Sequence, residues 1–204
     1  MHSQKSSADS IDRSPKQKRG HERVAILTEA AAKVFLEKGY EAATMTEIAA
    51  EAKSSIGSLY QFFPTKPVLA EALHIERMRQ LNAALVELQN EVDGKRASEI
   101  GDAIFARLGA FLEQYREFPV LAARRDIPKD RKVKSRAELR GNIKALLQKA
   151  SPPVGDDLDL LSALVLELLR IIVTAAHDPD IGGDPRMVAE LRGMLRKRLE
   201  EATA

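Results

Sequence analysis

The chain has 204 residues, a formal net charge of +2, 44% hydrophobic residues and 30% charged residues. That length allows one large or two small domains with a sizeable core. There is no cysteine, which excludes a disulfide framework, a thiolate zinc site and a cysteine nucleophile and fits a reducing compartment. Aromatic residues make up only 4%, and the Ala-, Leu-, Glu- and Arg-rich remainder favours helices.

The first twenty residues are polar and have no apolar run, so residues 1–20 are predicted to be a disordered basic arm and not a secretory signal. Five basic side chains and one acidic side chain lie between Arg13 and Arg23. This cluster fits either a solubilising tail or an arm that contacts nucleic acid. The most apolar run, Leu158–Ala176, contains three charged residues, which predicts a buried helix and not a membrane span. A cytoplasmic protein is expected.

Apolar residues recur at steps of three and four from Glu22 onward, which predicts a first helix. It is predicted to end at Gly39, which can adopt the left-handed conformation of a Schellman motif. Tyr40 can then fold back onto Phe35.

Two short helices and a longer one are predicted next. Thr44 and Glu47 form a Thr-x-x-Glu capping box, and Ser55 is placed to cap the following helix. Thr65 is placed to cap a long helix that has proline in its first turn. The two short helices have the size of a helix-turn-helix, whose second helix enters the major groove of DNA.

The second short helix has two different faces. Leu59 and Phe62 are predicted to pack inward, and Ala49 lets the preceding helix approach closely. The outer face comprises Ser55, Ile56, Gly57, Ser58, Tyr60 and Gln61.

These outer residues suit contact with a duplex. Gly57 lets the backbone approach DNA, Ser58 and Gln61 can hydrogen-bond base edges, and Ile56 can pack on a thymine methyl group. Tyr60 can donate to a phosphate. The structural alternative is a weak helical turn at Gly57 and a core position for Tyr60.

The remaining sequence alternates helical stripes with brief breaks. Helices are predicted within 68–92, 98–117, 129–149, 157–177 and 184–201, with a short piece between 119 and 127. No segment has strand alternation of useful length, and no repeat of 20–50 residues is present. The predicted fold is all-α, with about nine helices.

The stretch Val24–Leu73 closely resembles the DNA-binding region of the TetR family of bacterial transcriptional regulators. The resemblance rests on KGY (38–40), T-x-x-E-I-A (44–49), G-S-L-Y-x-F-F-P-x-K (57–66) and the following Leu69. It implies an all-helical homodimer with a DNA-binding domain over 21–67 and an effector-binding and dimerisation domain over 68–204. The implied partners are a palindromic DNA operator and a small-molecule effector of unknown identity, with no cofactor.

The resemblance also implies a set of DNA-contacting residues. Thr44, Tyr60 and Lys66 fall where family members commonly contact phosphate. Lys53 and Ser54 stand where the family usually has glycine followed by an apolar residue. The complete set is Thr44, Lys53, Ser54, Ser55, Ile56, Gly57, Ser58, Tyr60, Gln61, Thr65 and Lys66.

The C-terminal half has no comparable signature. Candidate walls of an effector pocket are Met78, Phe105, Leu108, Phe111, Leu112 and Tyr115, although apolar stripes of this kind are usually core. The resemblance places a dimer interface on the last two helices, with candidates Leu161, Val165, Leu169, Met187, Leu191 and Leu195; a buried core helix of a monomer is the alternative. Nine basic and three acidic residues lie in 124–144, which fits a solvated face or a site for an acidic ligand.

No enzymatic pattern is present. The four histidines are scattered, no carboxylates are paired at metal-ligand spacing, and there is no phosphate-binding glycine loop or nucleophile elbow. The protein is expected to be a non-enzymatic DNA-binding regulator. It is expected to act as a repressor that its small-molecule effector releases from the operator. The alternative is a helical dimeric adaptor that binds only protein.

Overall fold

The computed structural model describes residues 15–124, 129–176 and 184–203. These residues form nine α-helices and no strand, as the sequence predicts. The helices are α1 (Pro15–Ala42), α2 (Met45–Glu51), α3 (Ile56–Phe62), α4 (Lys66–Leu88), α5 (Ala97–Gln114), α6 (Phe118–Ala122), α7 (Lys129–Leu147), α8 (Leu158–Ala175) and α9 (Pro185–Glu201).

Helix α1 begins earlier than predicted. It starts at Pro15 and not at Glu22, so residues 15–20 of the predicted disordered arm are helical. Proline is favoured at a first helical position, because its missing N–H would have no helical partner there. Residues 1–14 of the predicted arm lie outside the described residues.

Gly39 interrupts α1, although its conformation differs from the predicted one. Its φ of 76° is positive as expected, but its ψ of 164° lies outside the left-handed helical region, in a region that is essentially restricted to glycine. The predicted contact forms nevertheless, and the ring centroids of Phe35 and Tyr40 are 5.4 Å apart.

The predicted caps of the next three helices are all present. Thr44 and Glu47 form both hydrogen bonds of the capping box at the start of α2. The Ser55 hydroxyl accepts from the Ser58 N–H at the start of α3, and the Thr65 hydroxyl accepts from the Val68 N–H at the start of α4. Each cap satisfies a backbone donor that has no partner within its helix.

Two hydrophobic cores share α4 and α6. The N-terminal core comprises residues of α1, α2 and α3 together with Leu73 of α4 and Leu121 of α6. The C-terminal core begins at Met78 of the same α4 and includes Phe118 of α6. The division between the cores therefore falls inside α4, and not at residues 67 and 68, where the sequence placed the domain boundary.

Helix α9 packs closely on α5. A Cβ atom at Gly101 would lie 2.6 Å from a side-chain carbon of Leu199, so a side chain at this position would force Leu199 to shift. Arg192 and Arg196 both donate to the Asp102 carboxylate, each at 2.6 Å. In the part of the chain described here, no helix is long and apolar enough to cross a bilayer.

Candidate nucleic-acid interface and internal cavity

The turn between α2 and α3 is a Schellman motif centred on Lys53. The Ser54 N–H donates to the Ala49 carbonyl at 2.9 Å, and the Lys53 N–H donates to the Ala50 carbonyl at 3.0 Å, which is the bonding pattern that defines the motif. Lys53 has a φ of 50°, in the left-handed region that normally favours glycine. The turn therefore forms with lysine at a strained position, and the lysine side chain is exposed.

Ser54 takes a structural role in this turn. A Schellman motif is often completed by an apolar contact from this position, but the Ser54 hydroxyl here accepts a hydrogen bond from the Arg23 guanidinium of α1. The hydrogen bond between Arg23 and Ser54 thus replaces the apolar contact that usually completes this motif.

Helix α3 is anchored by Leu59 and Phe63. Leu59 is completely buried, and Phe63, just after the helix, is 5% exposed. The inward position predicted for Phe62 is wrong, because Phe62 is 37% exposed. The chain leaves the helical conformation at Phe63, which is the C-cap with extended backbone, and this turns Phe63 and not Phe62 toward the core.

The outer face of α3 is open to solvent. Ile56 is 40% exposed and Tyr60 is 48% exposed, while Gly57 and Gln61 are exposed and Ser58 is half-buried. A Cβ atom at Gly57 would have no neighbour within 4 Å, so packing inside the protein does not require glycine there. The core position considered for Tyr60 is excluded.

Lys66 is engaged inside the protein. Its ammonium group donates to the carbonyls of Tyr40, Glu41 and Ala43 at 2.8, 2.9 and 2.9 Å, and it lies 4.7 Å from the centroid of the Tyr40 ring. An ammonium group has three N–H donors, and all three are used. The phosphate contact expected of Lys66 is therefore replaced by a role in holding the end of α1 against α4.

The start of α2 carries an ion pair. Hydrogen bonds from Lys38 and from the Thr44 hydroxyl and backbone lower the pKa of Glu47 to about 2. Thr44 is exposed but its hydroxyl donates to Glu47 at 2.8 Å. Its main role here is to cap α2, as the exposed Thr65 hydroxyl caps α4.

A cavity of about 280 Å³ lies between α4, α5, α6, α7 and α8. Met78 and Leu108, two of the predicted walls, line it. The complete lining is His74, Met78, Leu81, Leu108, Phe118, Ala122, Ser135, Arg136, Leu139, Leu166, Leu169, Arg170, Val173 and Thr174.

The other four predicted walls do not reach this cavity. Phe105 and Phe111 are buried in the C-terminal core, and Leu112 and Tyr115 pack against it. The Tyr115 ring instead lies 4.3 Å from the guanidinium carbon of Arg77. Sequence reasoning missed the walls contributed by α7 and α8. Arg170, one of the three charged residues within the apolar α8, was the available signal.

Comparisons with known proteins agree with this geometry. The model of the bacterial regulatory proteins of the tetR family matches residues 27–73. Residues 27–73 are thus similar to the DNA-binding region of the TetR family. The matched residues span the end of α1, both short helices and the first part of α4, which is the unit whose outer face is open to solvent.

Solved structures show that the likeness in fold extends over most of the chain. A TetR-family transcriptional regulator from Streptomyces coelicolor is 23% identical with a TM-score of 0.66, and the match covers 88% of this chain and 99% of that one. The regulator FadR from Bacillus subtilis, in complex with stearoyl-CoA, is 17% identical with a TM-score of 0.66, covering 86% of this chain and 96% of that one. None of the curated proteins matches the sequence.

Most of the predicted interface residues lie in the chain's own core. Leu161 and Val165 are fully buried, and Leu169 and Leu195 are 3% and 2% exposed. These four side chains cannot meet a second subunit, and Leu169 lines the cavity. The two remaining candidates on α9, Met187 and Leu191, are half-buried.

A different apolar surface on α8 and α9 is exposed. Leu160 is 61% exposed, Leu164 is 36% exposed and Ile171 is 40% exposed on α8, and Met194 on α9 is 65% exposed. The three α8 positions follow a helical spacing, displaced by about one residue from the buried stripe. We call Leu160, Leu164, Ile171 and Met194 the outer apolar face.

Among the residues that the structure describes, no group of three or more His, Asp or Glu side chains could hold a metal ion.

Proposed function

We propose that this protein is a dimeric DNA-binding transcriptional regulator that represses its target and is released from its operator by a small molecule. The observation that carries this proposal is the outer face of α3. A short helix is held by Leu59, while Ile56, Gly57, Tyr60 and Gln61 are left exposed on the other side. Such a surface suits a helix that is inserted into the major groove.

The proposed contacts follow from the side chains of this face. Gln61 and Ser58 can hydrogen-bond base edges, and the exposed Ile56 can pack on a thymine methyl group. Gly57 lets the helix backbone come close to the DNA. Tyr60 and Lys53 are proposed to contact phosphates, since such contacts position the protein without reading sequence.

Dimerisation is required because one helix reads only a few base pairs. Two copies would present two α3 helices about 34–36 Å apart to successive major-groove faces of an approximate palindrome. The outer apolar face supplies the contact between the copies. Burying it against its symmetry mate forms a four-helix bundle from two α8 and two α9 helices.

The cavity is the proposed effector site, and α6 is its link to the DNA-binding helices. Phe118 of α6 lines the cavity, while Leu121 of the same helix is fully buried in the N-terminal core. A ligand that displaces Phe118 therefore also shifts a side chain packed against α1 and α4. Release of DNA follows if the ligand binds the released arrangement more tightly than the DNA-bound one.

DNA binding can be tested with fragments of the neighbouring promoter at two salt concentrations. The affinity is expected to fall steeply with salt because phosphate contacts release counterions. Gln61→Ala is expected to lower operator affinity by about 1–3 kcal/mol and to change the preferred sequence. Gln89→Ala, at the far end of α4, is the matched control and is expected to change neither.

A protein that binds no DNA at low salt would overturn the proposal and favour the alternative of a helical adaptor. Dimerisation has its own test, in which Leu164→Glu puts a charge into the outer apolar face and is expected to give folded monomers with weakened operator binding. Val86→Glu replaces an exposed apolar residue of α4 and is expected to leave the dimer intact. A Leu164→Glu protein that stays dimeric would remove this face from the interface.

A further inference from the structure

The lining of the cavity is divided into an apolar interior and a charged rim. Three of the apolar members, Leu81, Leu108 and Leu169, are buried, with exposures of 3%, 2% and 3%. Arg136 of α7 and Arg170 of α8 have side chains that are 49% and 59% exposed. The cavity therefore opens past two guanidinium groups that sit between the core and solvent.

Both arginines share one carboxylate. Arg170 donates to Glu167 at 2.7 Å, and Arg136 donates to the other oxygen of the same group. The hydrogen bond from Arg170, with further help from the charge of Arg136, lowers the pKa of Glu167. The rim thus carries two positive charges against one negative charge.

Glu167 is a weakly held partner of these two arginines. Its side chain is 41% exposed, and ion pairs that are exposed to this degree contribute little, since water screens them. A ligand anion that enters the rim can replace the Glu167 oxygens, because a guanidinium group has several donors arranged to meet a carboxylate or a phosphate. Ser135 adds a hydroxyl to the lining on the α7 side.

We propose that the cavity takes an amphipathic anion, with an unbranched apolar chain in the interior and an acidic head group held by Arg136 and Arg170 in place of Glu167. This inference rests on the proposed function, since it names the ligand class of the same effector site.

The size of the cavity limits the chain. A methylene group occupies about as much space as a water molecule in the liquid, about 30 Å³. The cavity of about 280 Å³ therefore accommodates roughly nine chain carbons at that volume per carbon. Each added methylene is expected to tighten binding about fourfold until the interior is full, because each removes apolar surface from water.

Calorimetry on the intact dimer tests the proposal with hexanoate, octanoate, decanoate and tetradecanoate below their micellar concentrations. Affinity is expected to rise up to octanoate or decanoate and to gain nothing more at tetradecanoate. Decanoate is expected to bind roughly tenfold more tightly than decanol, because hydrogen bonds to a charged acceptor are stronger, and decyltrimethylammonium is expected not to bind. Decyl phosphate distinguishes a phosphate head group from a carboxylate, and tight binding of either supports the proposal.

Substitutions of the arginines and of the glutamate at the rim are expected to change decanoate affinity in opposite directions. Arg136→Gln and Arg170→Gln together are expected to abolish the preference for decanoate over decanol. Glu167→Gln is expected to strengthen decanoate binding by roughly fivefold, because it removes the competing carboxylate. The matched control is the exposed pair of Glu76 and Arg79 on α4, which has the same spacing of three residues but lies outside the lining. Glu76→Gln and Arg79→Gln are expected to change neither affinity.

Equal binding of decanoate and decanol, weaker decanoate binding in Glu167→Gln, or no binding of any amphiphile to a folded dimer would each overturn the proposed ligand class. DNA affinity without ligand, measured on the same preparations, is independent of these results. A protein that binds DNA but no amphiphile would refute the ligand class and leave DNA binding standing. A protein that binds decanoate but no DNA would refute the proposed role as a DNA-binding regulator.

Discussion

Replacing Arg77 by methionine removes the guanidinium group that joins the two cores. Arg77 of α4 is only 1% exposed. It donates to both oxygens of Glu29 in α1 at 2.8 and 3.0 Å, and to Glu117 just before α6 at 2.6 Å. Its guanidinium carbon also lies 4.3 Å from the centroid of the Tyr115 ring.

The expected cost follows from the unequal burial of the two carboxylates. The Glu117 side chain is 6% exposed, so the substitution leaves a buried carboxylate without its cation, which costs about 3–5 kcal/mol. The Glu29 side chain is 59% exposed, and water can replace its partner at a cost of about 0–1 kcal/mol. The free energy of unfolding is therefore expected to fall by about 3–5 kcal/mol, nearly all of it through Glu117.

A double-mutant cycle separates the buried charge from the loss of packing. Urea unfolding at neutral pH is the assay, and Arg77→Met with Glu117→Gln is expected to recover at least about 2 kcal/mol, because a neutral pair leaves no buried charge. Arg79→Met is the control, since its side chain is 68% exposed and its loss is expected to cost at most about 1 kcal/mol. An Arg77→Met protein within about 1 kcal/mol of the parent, or a double variant no more stable than Arg77→Met, would refute this reasoning.

Three further predictions concern the DNA-binding helices. Lys53→Gly is expected to raise the free energy of unfolding by about 0.5–1 kcal/mol, because glycine relieves the left-handed strain but loses more chain entropy; a decrease in urea stability would contradict this. The pKa of Glu47, about 2 against an ordinary 4.5, means that its stabilisation is complete above pH 4.5 and is lost as pH falls toward 2. The stability difference between the parent and Glu47→Gln is therefore expected to shrink over that pH range in acid titrations followed by circular dichroism. Lys66→Met is expected to lower the free energy of unfolding by about 1–3 kcal/mol, because three carbonyls lose their donor. The dependence of DNA affinity on salt concentration is expected to stay the same. A salt slope reduced by about one would instead show that Lys66 contacts a phosphate.

Much of the DNA-binding unit could be predicted from the sequence because its signals are local. A cap depends on a side chain and a backbone N–H two or three residues away, so Thr44, Ser55 and Thr65 were identified before any packing was known. The break at Gly39 is local in the same sense. The start of α1 was predicted wrongly at Glu22, because polar residues give no apolar periodicity although they can still form a helix.

The tertiary structure decided which side of each helix packs into the core and which side faces solvent. Helix α8 is apolar on several sides, and periodicity alone could not separate Leu161 and Val165, which are fully buried, from Leu160 and Leu164, which are exposed. Lys66 illustrates the same limit, since its three acceptors lie 23 to 26 residues earlier in the chain.

The cavity and the Arg77 network are likewise products of packing. Arg136 and Glu167 are 31 residues apart in sequence, and Arg77 and Glu29 are 48 residues apart. Local propensity and spacing carry no information about such pairs, because they exist only when separate helices are docked. The sequence by itself determined the helices, their caps and the DNA-binding unit. The positions of the cavity, the buried ion pairs and the outer apolar face were decided by how the helices pack.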